Sequence, residues 1–120
     1  MTRILAVDDS PSMRDMVRIA LSGAGFQVTQ AADGAEALEL ARKDSFDLVL
    51  SDVNMPRMDG ISLIRALRAE SAYKHTPILM LTTESSAERK REGKDAGATG
   101  WIVKPFDPAQ LVATMQRVLR

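Results

Sequence analysis

Apolar residues are distributed along the chain in two alternating textures. Short runs at "RILAV" (Arg3–Val7), "FQVTQA" (Phe26–Ala31), "DLVLS" (Asp47–Ser51), "PILML" (Pro77–Leu81) and "GWIV" (Gly100–Val103) are apolar throughout or at alternate positions and are bounded by turn residues. They predict five strands. Between them the apolar positions recur at helical spacing. Met13, Met16, Val17, Ala20 and Leu21 form one stripe, opened by Ser10 and Pro11 and closed by Gly23 or Gly25. That is an amphipathic helix with an N-cap, a first-turn proline and a glycine C-cap. Asp33 with Glu36 has capping-box spacing and opens a second helix running to about Arg42. Ile61, Ile64 and Leu67 mark a third after Asp59. Asp107-Pro108 with Gln110 opens the last, whose inner side carries Leu111, Val112, Met115, Val118 and Leu119.

The fourth helix breaks the pattern. "SSAERKREGKDAG" (Ser85–Gly97) offers only Ala87 and Ala96 as apolar residues around Gly93, and the four acids and four bases from Glu84 to Asp95 cancel. Such a segment reads as a solvated face; weak anchoring would also leave it free to shift or to receive a partner.

Strands alternating strictly with helices require an α/β fold, a parallel sheet covered on both faces. The apolar "LVL" and "ILML" belong in central strands, and the alternating "FQVTQA" belongs at an edge. Right-handed crossovers then give a doubly wound five-stranded parallel sheet of order 2-1-3-4-5, with a topological switch between strands 1 and 3. At 120 residues and 45% hydrophobic, the chain fits one domain spanning 1–120, with no repeat or linker.

Charge and cysteine usage narrow the partners. Sixteen basic and sixteen acidic residues balance, which argues against a nucleic-acid surface, since that needs a basic excess. No apolar run approaches the roughly 20 residues of a membrane span, and "MTRILAVDD" meets acids before any signal-peptide core. The absence of cysteine excludes disulfides, zinc-thiolate sites and thiol catalysis, and fits a cytoplasmic setting.

In such a sheet ligands bind beyond the carboxyl ends of the strands, at the switch point. Asp8 and Asp9 follow the first strand and Asp52 follows the third, its neighbour; Thr82 ends the fourth and Lys104 the fifth. Three carboxylates against one ammonium leave an excess of negative charge that either raises a carboxylate pKa or recruits a divalent cation. Magnesium suits hard oxygen ligands with no histidine or cysteine among them. An aspartate beside magnesium, a hydroxyl and an ammonium can attack phosphorus and form an aspartyl phosphate, with Lys104 and Thr82 serving the transferring oxygens.

Those residues carry a family resemblance over the whole chain. "VDDS", "SDVNMPRMDG", "LTTES" and "AGATGWIVKPF", at their spacing, resemble the receiver domains of bacterial two-component response regulators, and among them the single-domain chemotaxis type, CheY. The resemblance implies a flavodoxin-like (CheY-like) fold, for which the strand order given above is the known one. It implies that Asp52 is the phosphoacceptor, that Asp8 and Asp9 hold magnesium together with Asp52, and that the backbone carbonyl of Asn54 also binds the metal. Thr82 and Lys104 match the family's hydroxyl and lysine, Pro105 the proline that follows in a cis peptide, and Trp101 the aromatic switch position. Two departures stand out: tryptophan replaces the tyrosine often found at that switch, and Thr83 is bulkier than the usual alanine or glycine, which restricts access for water or phosphodonor.

The implied function is a phosphorylation-controlled switch, not an enzyme with a separate substrate. It would be a monomer that receives its phosphoryl group from a CheA-like histidine kinase. With no output domain of its own, it would signal through the face made by helix 4, strand 5 and helix 5, to a target such as a flagellar motor switch protein. Alternatives are a stand-alone phosphorelay intermediate, a single-domain regulator outside chemotaxis, and a magnesium-dependent phosphatase with an aspartyl intermediate. The last usually sets its nucleophile after the first strand and needs a cap domain, for which 120 residues leave no room. A flavin-binding protein of similar topology would need a hydroxyl- and glycine-rich phosphate loop where Asp8 and Asp9 stand. His75, in the polar "SAYKHTP" segment, reads as an exposed loop residue; Met55 and Met58 brace the loop after Asp52; and Gly23–Gly25 follows a helix, so it is a C-cap and not a phosphate loop.

Overall fold

A computed structural model describes residues 2–83 and 87–119. Among them the chain runs β1 (Arg3–Val7), α1 (Pro11–Gly23), β2 (Gln27–Ala31), α2 (Gly34–Lys43), β3 (Leu48–Ser51), α3 (Gly60–Ala69), a single 3-10 turn (Ser71–Tyr73), β4 (Ile78–Thr82), α4 (Ala87–Ala96), β5 (Gly100–Val103) and α5 (Pro108–Val118). The expected start of the fourth helix at Ser85 and Ser86, and its acidic neighbour Glu84, lie outside the described residues.

The sheet is parallel throughout, in the order β2-β1-β3-β4-β5, as the alternating pattern requires. Phe26, Asp47 and Pro77 sit just before the strands they were expected to open, while Thr82 lies inside β4. Successive residues of a strand face opposite sides of a sheet, and β1 displays this directly. Ile4 and Ala6 join Val17, Leu21, Leu111 and Met115 under α1 and α5, whereas Leu5 and Val7 join Ala37, Leu38, Ile61, Ile64 and Leu67 under α2 and α3. Both layers are apolar, so Ile4–Val7 of β1, Leu48–Leu50 of β3 and Ile78–Leu81 of β4 are apolar without a break, and β3 and β4 are buried along their whole length. The edge strand β2 keeps Gln27 exposed.

Local chemistry fixes the helix ends. Ser10 Oγ accepts from Met13 N and Pro11 fills the first turn of α1. At α2 the capping box forms, with Glu36 N donating to Asp33 Oδ1 at 2.8 Å and Ala32 N donating to Glu36 Oε1 at 3.0 Å. Asp59 and Asp107 cap α3 and α5 through Ser62 N and Ala109 N; Gln110, expected to complete a second box, is exposed. Gly25 takes φ +94 after α1, the left-handed turn a glycine C-cap provides.

Two helices differ from expectation in physical detail. On α1 the buried seam is only Val17 and Leu21; Met16 is 49% exposed and Ile19 62%. Only the positions turned toward the sheet and α5 are covered, so the buried stripe is narrower than the apolar count offers. On α4 only Gly93 and Ala96 are buried, as its composition demands, but its C-terminus is held firmly. Arg68 of α3 donates from Nε and Nη2 to Gly97 O at 3.1 and 2.8 Å and from Nη1 to Tyr73 O and Thr76 O at 2.7 and 2.6 Å. The helix is anchored through its backbone in place of an apolar face.

Candidate functional site

Parallel pairing with β1 and β3 adjacent delivers Asp8 and Asp52 side by side, and the backbone ladder continues one step into each: Asp8 N donates to Ala31 O and Asp52 N to Val7 O. Asp8 is 4% exposed and Asp52 8%, while Asp9 faces solvent. One carboxylate oxygen from each of the three lies within 4.8 Å of the others. Hard anionic oxygens converging at that separation fit a divalent cation of the magnesium or calcium kind, which takes oxygen ligands.

Lys104 enters from beyond β5. Its Nζ lies 2.7 Å from Asp8 Oδ2 and 3.5 Å from Asp52 Oδ2. The Lys104-Pro105 peptide is cis, as the resemblance implied, and Lys104 N donates to Thr82 O at 2.8 Å, tying the lysine to the end of β4. Asp8 Oδ1 accepts from Ser10 N at 2.9 Å, and Asp52 Oδ1 accepts from Val53 N at 2.8 Å. Thr82 is buried at the end of β4, where its hydroxyl favours the ionised form of the Asp52 carboxyl. The five residues singled out for chemistry are therefore brought together.

Burial pushes the Asp52 carboxyl above the ordinary carboxylate range. Lys104 opposes that shift, the nearby Asp8 carboxylate reinforces it, and the Val53 N–H and Thr82 oppose it. Desolvation prevails because one ammonium is shared between two buried acids.

The approach is made tight by backbone. A Cβ on Gly60 would meet Asp52 O at 2.1 Å, so only glycine lets the start of α3 pass beneath the strand end, where Gly60 N donates to Val53 O. Met55 and Met58 pack against the core, bracing this loop as expected, and His75 and Thr83 are exposed. Asn54 is exposed too; its Oδ1 accepts from Arg89 Nη2 of α4 at 3.4 Å. Trp101 is half-buried on β5, paired with Met80 and facing Gly93 of α4.

Three arginine contacts around the site have no counterpart in the sequence reading. Arg14 Nη1 donates to Asp8 O at 2.7 Å, Arg89 reaches Asn54, and Arg57 forms a two-point ion pair with Asp33. Asp33 was legible as a cap, but nothing periodic links it to a residue 24 positions away.

With this geometry, residues 4–116 match the response regulator receiver domain, and the chain belongs to that family: it is a receiver domain, a phosphorylation-activated switch of a two-component system. Among its relatives is chemotaxis protein CheY-3 of Vibrio cholerae serotype O1, 44% identical over 117 residues that make up 97% of this chain and 90% of that protein. Vibrio cholerae chemotaxis protein CheY4 superposes with a TM-score of 0.95 at 58% identity, covering 98% of each chain. The receiver domain of sensor histidine kinase PA1611 from Pseudomonas aeruginosa PAO1 superposes with a TM-score of 0.92 at 31% identity, over 98% of this chain and 97% of that one, and its structure has a magnesium ion coordinated in the active-site cleft.

Proposed function

We propose that Asp52 is the phosphoacceptor and that the switch serves chemotaxis, with a CheA-like histidine kinase as donor. The carrying observation is the buried Asp52 carboxylate, which shares the Lys104 ammonium with Asp8 and stands within chelating distance of Asp8 and Asp9. An Asp52 oxygen attacks phosphorus; a P–O bond forms as the P–N bond to the donor imidazole breaks, and the released nitrogen keeps the electron pair and takes up a proton. Lys104 and Thr82 are placed to receive the transferred oxygens as a counter-charge and a hydrogen-bond donor. Magnesium held by Asp8, Asp9, Asp52 and the Asn54 backbone carbonyl would supply further positive charge to those oxygens.

Output runs through the face of α4, β5 and α5, with Thr82 and Trp101 as the switch pair and a flagellar motor switch protein as the target. The protein takes part in its own phosphorylation and dephosphorylation and turns over no separate substrate. Similarity to the Vibrio chemotaxis proteins over nearly the full chain supports this reading, and a cytoplasmic setting accompanies it.

Incubation with acetyl phosphate and magnesium tests the assignment, read by intact mass and peptide mapping. One added phosphoryl group on Asp52, absent in Asp52→Asn, is expected. Labelling of Asp52→Asn at the wild-type rate overturns it.

A further inference from the structure

Arg57 is the only non-glycine among the described residues with positive φ, at 65°. A side chain in that region is uncommon, and such an outlier persists only where its surroundings hold it. The surroundings are specific. Arg57 Nε and Nη2 meet Asp33 Oδ2 and Oδ1 at 2.8 and 3.0 Å, a fork-to-carboxylate pairing. Asp33 is itself fixed, largely buried and accepting from Glu36 N as the cap of α2. The hydrogen bond from Glu36 N, with Arg57 adding to it, holds the Asp33 carboxyl below its ordinary range, so it stays charged. One residue on, Met58 O accepts from Gly34 N at 3.1 Å, and a Cβ on Gly34 would lie 2.5 Å from that oxygen.

The loop between β3 and α3 is thus tied at both ends and at its crest. Val53 N binds Asp52 Oδ1, Gly60 N binds Val53 O, and the crest at Arg57 and Met58 is bound to the start of α2. Asn54 lies between these ties. A backbone carbonyl has no side-chain torsion with which to aim itself, so its direction is set by whatever fixes the loop.

We propose that Arg57 is a positioning residue for the metal site, the Arg57–Asp33 pair locking the loop in the form that presents the Asn54 carbonyl beside Asp8, Asp9 and Asp52. This rests on the magnesium site proposed above. Asp33 would then join α2 to the phosphorylation site although it touches neither metal nor phosphate.

Calorimetric titration with magnesium chloride tests it on wild type, Arg57→Gly, Arg57→Lys, Asp33→Asn and the Arg57→Gly/Asp33→Asn double variant, with circular dichroism confirming the fold. Glycine suits φ 65°, so Arg57→Gly removes the ion pair without adding backbone strain. Asparagine keeps the Oδ1 that caps Glu36 N. Magnesium affinity is expected to fall about fivefold or more in Arg57→Gly and Asp33→Asn, less than the roughly 10–100-fold typical of groups bonded directly to a ligand. The double variant should be no weaker than either single, and Arg57→Lys should lie between. Wild-type affinity in both singles, or losses that multiply in the double, overturns the proposal while leaving the metal site standing. Absence of magnesium binding by wild type removes the site and this proposal together. Should Asp33→Asn unfold, Arg57→Gly with the intermediate Arg57→Lys decides alone.

Discussion

The indole of Trp101 occupies the space that a side chain on Gly93 would need: a Cβ there would lie 2.9 Å from Cζ3. The centre of α4 therefore rests directly on the last strand. Replacing glycine by alanine inside a helix ordinarily gains about 1 kcal/mol. In Gly93→Ala that gain should be lost to displacement of a rigid ring. We expect no rise in the urea midpoint and stronger acrylamide quenching of Trp101. A variant stabilised by the full amount with unchanged quenching would show that the ring yields freely.

Trp101 should also register activation. An aspartyl phosphate adds charge and acceptor oxygens next to Thr82, enough to draw its hydroxyl and open space beside the indole. Magnesium with beryllofluoride should change acrylamide quenching in wild type, and Thr82→Ala should reduce the change while fluorine NMR still shows the mimic bound. Equal quenching changes in both proteins would assign the switch elsewhere.

The raised pKa of Asp52 has a definite sign for stability. Between its unfolded and folded pKa the native state binds more protons than the unfolded chain, so this residue's contribution falls as pH rises through that window. Above that window the buried Asp52 carboxylate costs stability. Asp52→Asn should therefore be more stable than wild type at pH 7, by on the order of 1 kcal/mol. The difference should shrink as pH falls toward the ordinary carboxylate range. Denaturant melts at pH 4 and pH 7 measure it, and an advantage that grows on acidification contradicts the assignment.

Asp9 and Lys104 should separate metal binding from response. Asp9→Asn should weaken magnesium binding about tenfold or more, slow phosphorylation with it and leave the fold intact. Lys104→Met removes the cation shared by Asp8 and Asp52, so calorimetry should find magnesium affinity retained or raised while the fluorescence response to beryllofluoride is lost. An Asp9→Asn protein with unchanged affinity would take that residue out of the metal site.

Arg68→Ala should loosen α4 selectively. Removing a guanidinium bonded to Gly97, Tyr73 and Thr76 carbonyls should cost about 1–3 kcal/mol. Hydrogen exchange should accelerate in α4 and around the 3-10 turn more than in β1 or β3. Uniform acceleration would mean that α4 belongs to the global unfolding unit.

The elements, their caps and the placing of Asp8, Asp52, Thr82 and Lys104 at strand ends were legible in the sequence, while the strand order that brings them together came with the known order of this fold. Each legible feature depends on a short-range signal: a period of two or 3.6, a cap three residues from its partner, a charged residue where an apolar run stops. The reach of Arg57 to Asp33 and of Arg68 to Gly97 has no such period, because a long side chain meets its partner only after the layers have assembled. Met16 shows the converse limit. It has the spacing of a core residue on α1, yet the width of the buried seam is set by how the helix lies on the sheet, and its own spacing carries no record of that.

Since α4 is secured by a carbonyl oxygen at Gly97 and by the missing side chain of Gly93, neither tether depends on what the helix displays outward. Glu88, Lys90, Arg91, Lys94 and Asp95 are all exposed. Their identities can drift without disturbing the hydrophobic layers, so under the output face proposed above duplicated copies of such a gene would diverge in addressee while inheriting one unaltered chassis. With the output face proposed above, a graft exchanging these five residues between relatives is expected to alter partner choice while leaving stability unchanged.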